Sequence, residues 1–251
     1  MATMRRHRAW AVAVCAAVLV TLSAGHAAAE GVRLEMITVD GFDAIGVVSG
    51  VPRVGDGPAI RRYHDSGQFA ADRRAVATAA QSTLRTLVDE QCPGGPSDCR
   101  AQQLAIVVDV DDTLLDWYAA YARHGFTLSG AARQAGVQAC VTPAIVSTRE
   151  LVEEAQQFGV GVLVVSGRRN AARAATEACL ERRGITGWDA LVLRTAKQDR
   201  LSAATYKKRA VGRLLASGWN IQLTIGDQTA DMTGTGNTAR FLLPNPLYRT
   251  N

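Results

Sequence analysis

The chain predicts an α/β fold: a doubly wound parallel sheet with crossover helices, a small helical insert and an N-terminal helical extension. Three observations carry that prediction. Short, unbroken apolar runs of strand length alternate along the chain with longer stretches of helical period. Runs of that kind read as strands buried on both faces, as parallel sheets require. Each of the main runs also ends abruptly on polar or acidic residues, and the connections are short.

The elements follow in order. Val76, Ala80, Leu84, Leu87 and Val88 recur at helical spacing, so residues 69–90 predict an amphipathic helix with Asp65 or Ser66 as its cap. A turn-rich loop, Cys92-Pro-Gly-Gly-Pro-Ser-Asp-Cys99, ends that helix. Residues 104–108 (Leu-Ala-Ile-Val-Val) form the clearest strand and run into Asp109-Val110-Asp111-Asp112-Thr113. Residues 114–124 read as helical, and 126–138 as a short, polar, alanine-rich insert. Thr142-Pro143 has the chemistry of a cap followed by a first-turn proline, opening a helix through Phe158 that Gly159 closes. Further strands are expected at 160–165, 190–193, 219–225 and 240–243, with helices leading to Arg183 and over 204–216.

The N-terminus has a different character. Arg5, Arg6 and Arg8 precede an apolar run from Trp10 to Leu22, and small residues end in Ala27-Ala28-Ala29. That order predicts a secretory signal peptide over 1–29, an N-terminal arm over 30–57 and one domain over 58–251. The apolar run falls short of the ~20 residues of a spanning helix, so no membrane anchor is expected after processing. Of the 251 residues, 28 are basic and 23 acidic; removing three leader arginines leaves 25 against 23, a formal charge of +2. So small a charge offers no case for nucleic acid as a partner. Four cysteines then remain, and an even number in an exported chain suggests disulfides. Cys92 with Cys99 closes the turn-rich loop, and Cys140 with Cys179 follows by elimination.

The ends of parallel strands share one edge of the sheet, where ligands bind. Asp109 and Asp111, then Ser166, then Asp227 and Asp231 occupy such ends, with Lys207 and Lys208 near the start of the preceding helix. Chemistry at phosphorus needs this set: one carboxylate to attack, a second to protonate the leaving oxygen, a hydroxyl and an ammonium to hold oxygens. Further carboxylates place a divalent cation. Arg168 either binds substrate or pairs with an acid, and Tyr63 and His64 rank as possible walls of the site.

These motifs resemble the haloacid dehalogenase-like superfamily, whose core is Rossmann-like. Within it the chain is similar to secreted acid phosphatases, the group of class B acid phosphatases and plant acid phosphatase or vegetative storage proteins. The likeness rests on Tyr63-His64-Asp65-Ser66-Gly67, residues 108–115, Tyr206-Lys207, Gly226-Asp227-Gln228 and Leu243-Pro244-Asn245-Pro246-Leu247-Tyr248. It implies Asp109 as nucleophile, Asp111 as general acid and base, and Lys207 as the residue neutralising phosphate. It implies Ser166 and Gly167 around the phosphate, beside which Thr113 and Arg168 are expected to line the substrate site, and Mg²⁺ held by Asp109, Asp111 (through its carbonyl), Asp227 and Asp231. Small phosphomonoesters such as nucleotides or sugar phosphates are the implied substrates. Thr229 and Ala230 stand where plant members usually carry Trp and Ser, a departure that touches no group the mechanism needs. A non-catalytic storage or phosphate-ligand-binding protein on the same fold is the alternative, and the intact Asp109 argues against it.

Overall fold

The computed structural model describes residues 32–39, 41–234 and 238–250; the expected signal peptide lies outside them. Among the described residues, seven strands form one sheet: β1 Leu34–Val39, β2 Phe42–Val47, β3 Leu104–Val108, β4 Gly161–Arg169, β5 Ala190–Arg194, β6 Asn220–Gly226 and β7 Ala239–Leu242. The order across the sheet is β1-β2-β7-β6-β3-β4-β5, and every neighbouring pair but β1–β2 is parallel. The chain builds outward from β3 through β4 to β5, then returns to lay β6 on the other flank of β3. That reversal makes the C-terminal end of β3 a topological switch point, where a crevice opens.

Among the described residues, eight α-helices accompany the sheet: α1 Gly57–Asp65, α2 Gln68–Gln91, α3 Pro96–Ala101, α4 Tyr118–Arg123, α5 Gly130–Ala139, α6 Val146–Gln157, α7 Arg173–Arg182 and α8 Ala203–Ala216. Side chains alternate along β3, so its two faces enter two cores. Ile106 and Val108 pack with Val76, Ala80 and Leu84 of α2 and Leu151 and Val152 of α6. Ala105 and Val107 pack with Tyr206, Ala210, Val211 and Leu214 of α8. A third cluster joins Ile60, Tyr63 and Phe69 to Trp117, Tyr121, Phe126 and Leu247. It seats α1 and α2 against the loop that follows β3.

Four expectations change. The arm over 30–57 contains a β-hairpin, β1–β2, whose second strand pairs with β7 and extends the sheet. Its signal was the dipeptide Asp40-Gly41: Val39 pairs with Phe42, so the loop is two residues long, and Gly41 takes φ +81°. The cap of α2 is not Asp65 or Ser66 but Gly67, also left-handed at φ +81°. The helix expected over 114–124 shortens to α4, because Leu115 bridges both Asp111 and Ala144 and holds residues 111–117 in turns. The same bridge keeps Thr142-Pro143-Ala144 extended, so α6 starts at Val146.

Both disulfides form as expected, Cys92–Cys99 and Cys140–Cys179. The first clips the loop between α2 and α3. The second ties the end of α5 to α7, so the insert is held to the core by a covalent bond.

Candidate active site

A cavity of about 680 Å³ opens beyond the C-terminal ends of β3, β4 and β6. Asp109, Asp111, Ser166, Gly167, Arg168, Lys207, Asp227 and Asp231 all line it. Asp109 extends β3, its amide donating to Ile225 O of β6 at 3.2 Å. Lys207, from the first turns of α8, reaches back to the strand tips. Its ammonium donates to Asp109, to Val165 O at 2.5 Å and to Asp231 Oδ1 at 2.6 Å. Lys208 is exposed and does not line the cavity, which separates the two lysines.

Asp227 stands at the end of β6. Its Oδ1 accepts from Thr113 Oγ1 at 3.3 Å, and its Oδ2 from Gln228 Nε2 and Asn245 Nδ2, each at 2.5 Å. Asp231 Oδ2 accepts from the Gln228 amide at 3.0 Å. The tight turn leaves no room for a side chain at Gly226, where a Cβ would meet Asp231 Oδ2 at 2.3 Å. Asp111 faces the other way. Arg168 binds it with Nη2 at 2.7 Å and Nε at 3.1 Å, and Trp117 Nε1 donates to it at 2.5 Å. Ser166 Oγ accepts from the Arg168 amide at 3.2 Å, leaving its own proton to donate. No Cβ contact lies within 4 Å of Gly167, whose backbone is therefore open to a ligand.

Charge is unevenly shared here. Burial, with the carboxylates of Asp231 and Asp111 nearby, pushes Asp109 up to about 7 against the pull of Lys207. Burial and the neighbouring Asp231 and Asp109 also push Asp227 well above the carboxylate range. Burial works against the charge of Lys207, but Asp109 and Asp231 outweigh it and hold the ammonium protonated. Burial would raise Asp111 too, yet Arg168 and Arg133 overcome it and hold this carboxyl well below its usual value. One buried carboxyl is thus disposed to take a proton or a cation, and its neighbour to stay ionised.

Oxygens of Asp109, Asp227 and Asp231 lie within 4.8 Å of one another. Three buried carboxylates so close repel, and the donor set is all oxygen. Both facts fit a hard divalent cation.

Thr113, expected beside the substrate, is wholly buried and absent from the cavity wall, its hydroxyl engaged by Asp227. Tyr63 and His64 are also away from the cavity: Tyr63 donates to buried Asp72, and His64 stacks on Tyr118. Several residues at the site carried no sequence signal of a role. Asn245 and Tyr248 belong to the Leu243–Tyr248 stretch; Asn245 braces Asp227, and the Tyr248 hydroxyl donates to Asp111 O at 3.4 Å. Arg133 of α5 lines the cavity with its guanidinium 4.9 Å from the Trp117 ring and 4.5 Å from that of Tyr248. An arginine in an alanine-rich insert looks like a solvated charge; only the folded loop brings it over those rings.

The family model of the HAD superfamily, subfamily IIIB (Acid phosphatase), matches residues 54–251. The chain belongs to this family. By that membership it is a phosphoric monoester hydrolase of the acid phosphatase class. It is 29% identical over 196 residues to the stem 28 kDa glycoprotein of Glycine max, covering 76% of this chain and 73% of that one. It is 31% identical to acid phosphatase 1 of Solanum lycopersicum and 32% identical to vegetative storage protein 1 of Arabidopsis thaliana. Those two matches cover 57% of this chain, but only 57% and 54% of the relatives' own lengths. In structure the chain is similar to the class C acid phosphatase of Bacillus anthracis with tungstate bound. That comparison has a TM-score of 0.59 at 20% identity, covering 78% of this chain and 87% of that one. At such identity the likeness speaks for the fold.

Proposed function

We propose that the protein is an exported, Mg²⁺-dependent phosphomonoesterase that works through an aspartyl-phosphate on Asp109. The observation that carries this reading is the convergence of Asp109, Lys207, Ser166 and the Arg168-bound Asp111 on one cavity. A substrate phosphoryl group seats against the Lys207 ammonium, the Ser166 hydroxyl and the Gly167 amide. A carboxylate oxygen of Asp109 attacks phosphorus as the bond to the leaving oxygen breaks, and Asp111 gives that oxygen its proton. Water then attacks the aspartyl-phosphate, Asp111 takes the water's proton, and Asp109 is released with inorganic phosphate. Before substrate enters, Arg168 holds Asp111 ionised. A dianionic phosphoryl group alongside raises the proton affinity of Asp111, and an acidic medium helps to load it. Mg²⁺ held by Asp109, Asp227, Asp231 and the Asp111 carbonyl would offset charge on the transferring group.

Export is supported by the charged, apolar and small-residue order of residues 1–29. Among the described residues no helix is long and apolar enough to cross a membrane. The names of two relatives favour a storage role as the second reading. The experiment that separates the two is hydrolysis of p-nitrophenyl phosphate between acidic and neutral pH, with Mg²⁺ and with a chelator, beside Asp109→Asn. The enzyme reading requires chelator-sensitive turnover that falls by at least about three orders of magnitude in the variant. A folded, metal-supplied protein without turnover gives the case to storage.

A further inference from the structure

The catalytic groups fill only the floor of the cavity; the outer wall has a chemistry of its own. Arg169 and Arg194 both line it, and they are register partners across β4 and β5. Two like charges paired across neighbouring strands repel unless an anion lies between them or each has a counter-charge. Arg169 has one, Asp199 at 3.2 Å, in an ion pair where the arginine side chain is 70% exposed. Such a pair exchanges readily for a ligand. Arg194 has no carboxylate partner among the described residues. Its Nη1 donates to Leu201 O at 3.2 Å, its guanidinium lies 4.8 Å from the Tyr206 ring, and its Nε is buried without an acceptor.

Both arginines adjoin the catalytic set, one in the chain and one through a ring. Arg169 follows Arg168 in β4, and Tyr206, on whose ring Arg194 rests, precedes Lys207 in α8. Among the described residues, the rest of the wall is small, apolar or amide-bearing, with Ala171, Ala172, Val137, Gln134 and Gln138, apart from Arg133, which lies over the Trp117 and Tyr248 rings, and no carboxylate stands outside the catalytic set. Nor, among the described residues, does it carry a broad aromatic platform: Tyr206 is wholly buried beneath Arg194, and the one other lining ring, Tyr248, faces Tyr121. A leaving group held here meets cations and amides rather than a stacking surface.

We propose that Arg169 and Arg194 form a second anion site, so that the preferred substrates are phosphomonoesters whose leaving group carries another anionic group, a carboxylate or a second phosphate. This rests on the phosphatase reading above and specifies its substrate class. The second anion bridges the two guanidinia, relieves their repulsion and points the ester phosphate at Asp109.

The test uses two compounds that differ only in the second charge, glycerol 3-phosphate and 3-phosphoglycerate. For the purified protein, kcat/KM should be about tenfold or more higher for 3-phosphoglycerate at low salt, as two charge-assisted contacts imply, and the preference should shrink as salt rises. Arg169→Gln and Arg194→Gln should each reduce the ratio of the two kcat/KM values, and the double variant should bring it to about one. Arg169 is exposed, so its variant keeps the test informative if Arg194→Gln unfolds. A wild-type ratio at or below one overturns the proposal, as does a preference that neither substitution moves. Calorimetric binding of both compounds to Asp109→Asn reads the same preference without chemistry. Preferential binding of 3-phosphoglycerate by a wild type that hydrolyses neither compound would support the anion site and refute the phosphatase reading; equal binding would overturn the site.

Discussion

Asp109 and Asp111 are two residues apart and titrate in opposite directions, and the cause is what each side chain meets. Asp109 turns toward Asp231 and Asp227, whereas Asp111 turns into Arg168 and Trp117. Removing the guanidinium by Arg168→Met takes away the charge that favours ionised Asp111, so its pKa rises. The descending alkaline limb of kcat, where the general acid is lost, should move about one to two pH units higher. Lower activity is expected as well, since Arg168 also positions the carboxyl; the displacement of the limb is the decisive reading. A profile that drops in height without moving would exclude Asp111 as the acid. The spacing Asp-x-Asp-x-Thr was legible as a strand tip with chemistry. The opposed environments were not, because Trp117 and Arg168 reach Asp111 through a turn and from a different strand. Thr113 shows the same limit: its place in the motif said nothing of the depth at which its hydroxyl would meet Asp227.

Local elements set the tolerances around these residues. Gly226→Ala would drive a Cβ into the Asp231 side chain at 2.3 to 2.5 Å. Overpacking of that kind costs about 1–3 kcal/mol. It should lower Tm by several degrees and, by displacing the acid that pairs with Lys207, weaken turnover more than a stability loss alone explains. The Cys140–Cys179 bridge closes a separation of 39 residues, for which chain entropy gives about 4 kcal/mol. Replacing both cysteines by serine should lower Tm by roughly 10 °C. It should also loosen α5, seen as raised KM with smaller change in kcat. Counting cysteines suggests disulfides, and reaches this pairing only by elimination once Cys92 is paired with Cys99. The hairpin β1–β2 is faint in the sequence because its apolar patches are short, with Asp40-Gly41 as its one turn signal.

Across the whole molecule, buried charge couples stability to pH and to metal. Arg73 of α2 binds Asp112 at 3.1 Å and Asp116 at 3.0 Å, pinning the loop after β3 to the N-terminal helices. Breaking this buried network with Arg73→Met leaves Asp112 without its cation and should cost about 3–5 kcal/mol, measured by denaturant unfolding. Burial pushes Asp112, like Asp109, up to about 7. A carboxyl whose folded pKa lies above its unfolded value binds more protons in the folded state. The metal-free protein should therefore lose stability as pH rises from about 4 to about 7. Asp111 opposes this only below about pH 4, where its depressed pKa makes ionisation part of the fold. If the proposed Mg²⁺ binds the folded cluster and not the unfolded chain, adding it at pH 7 should restore Tm. A Tm that rises with pH in the presence of chelator, or that ignores Mg²⁺ at neutral pH, would contradict this account.

The α/β class, the succession of the main strands along the chain, an even cysteine count that suggests disulfides, and the acids, hydroxyl and lysine that meet at the sheet edge are all legible in the sequence. Each was written in a local pattern: an apolar run of strand length, a helical period, a cysteine count, a short motif. Tertiary structure decided the rest. It joined the N-terminal hairpin to β7, buried Thr113 beneath Asp227, set Arg168 against Asp111, and aligned Arg169 with Arg194 across two strands. Those relations depend on sheet order and on which side of a turn each side chain leaves. Neither is encoded in spacing along the chain, because the partners are brought together only when separate segments pack.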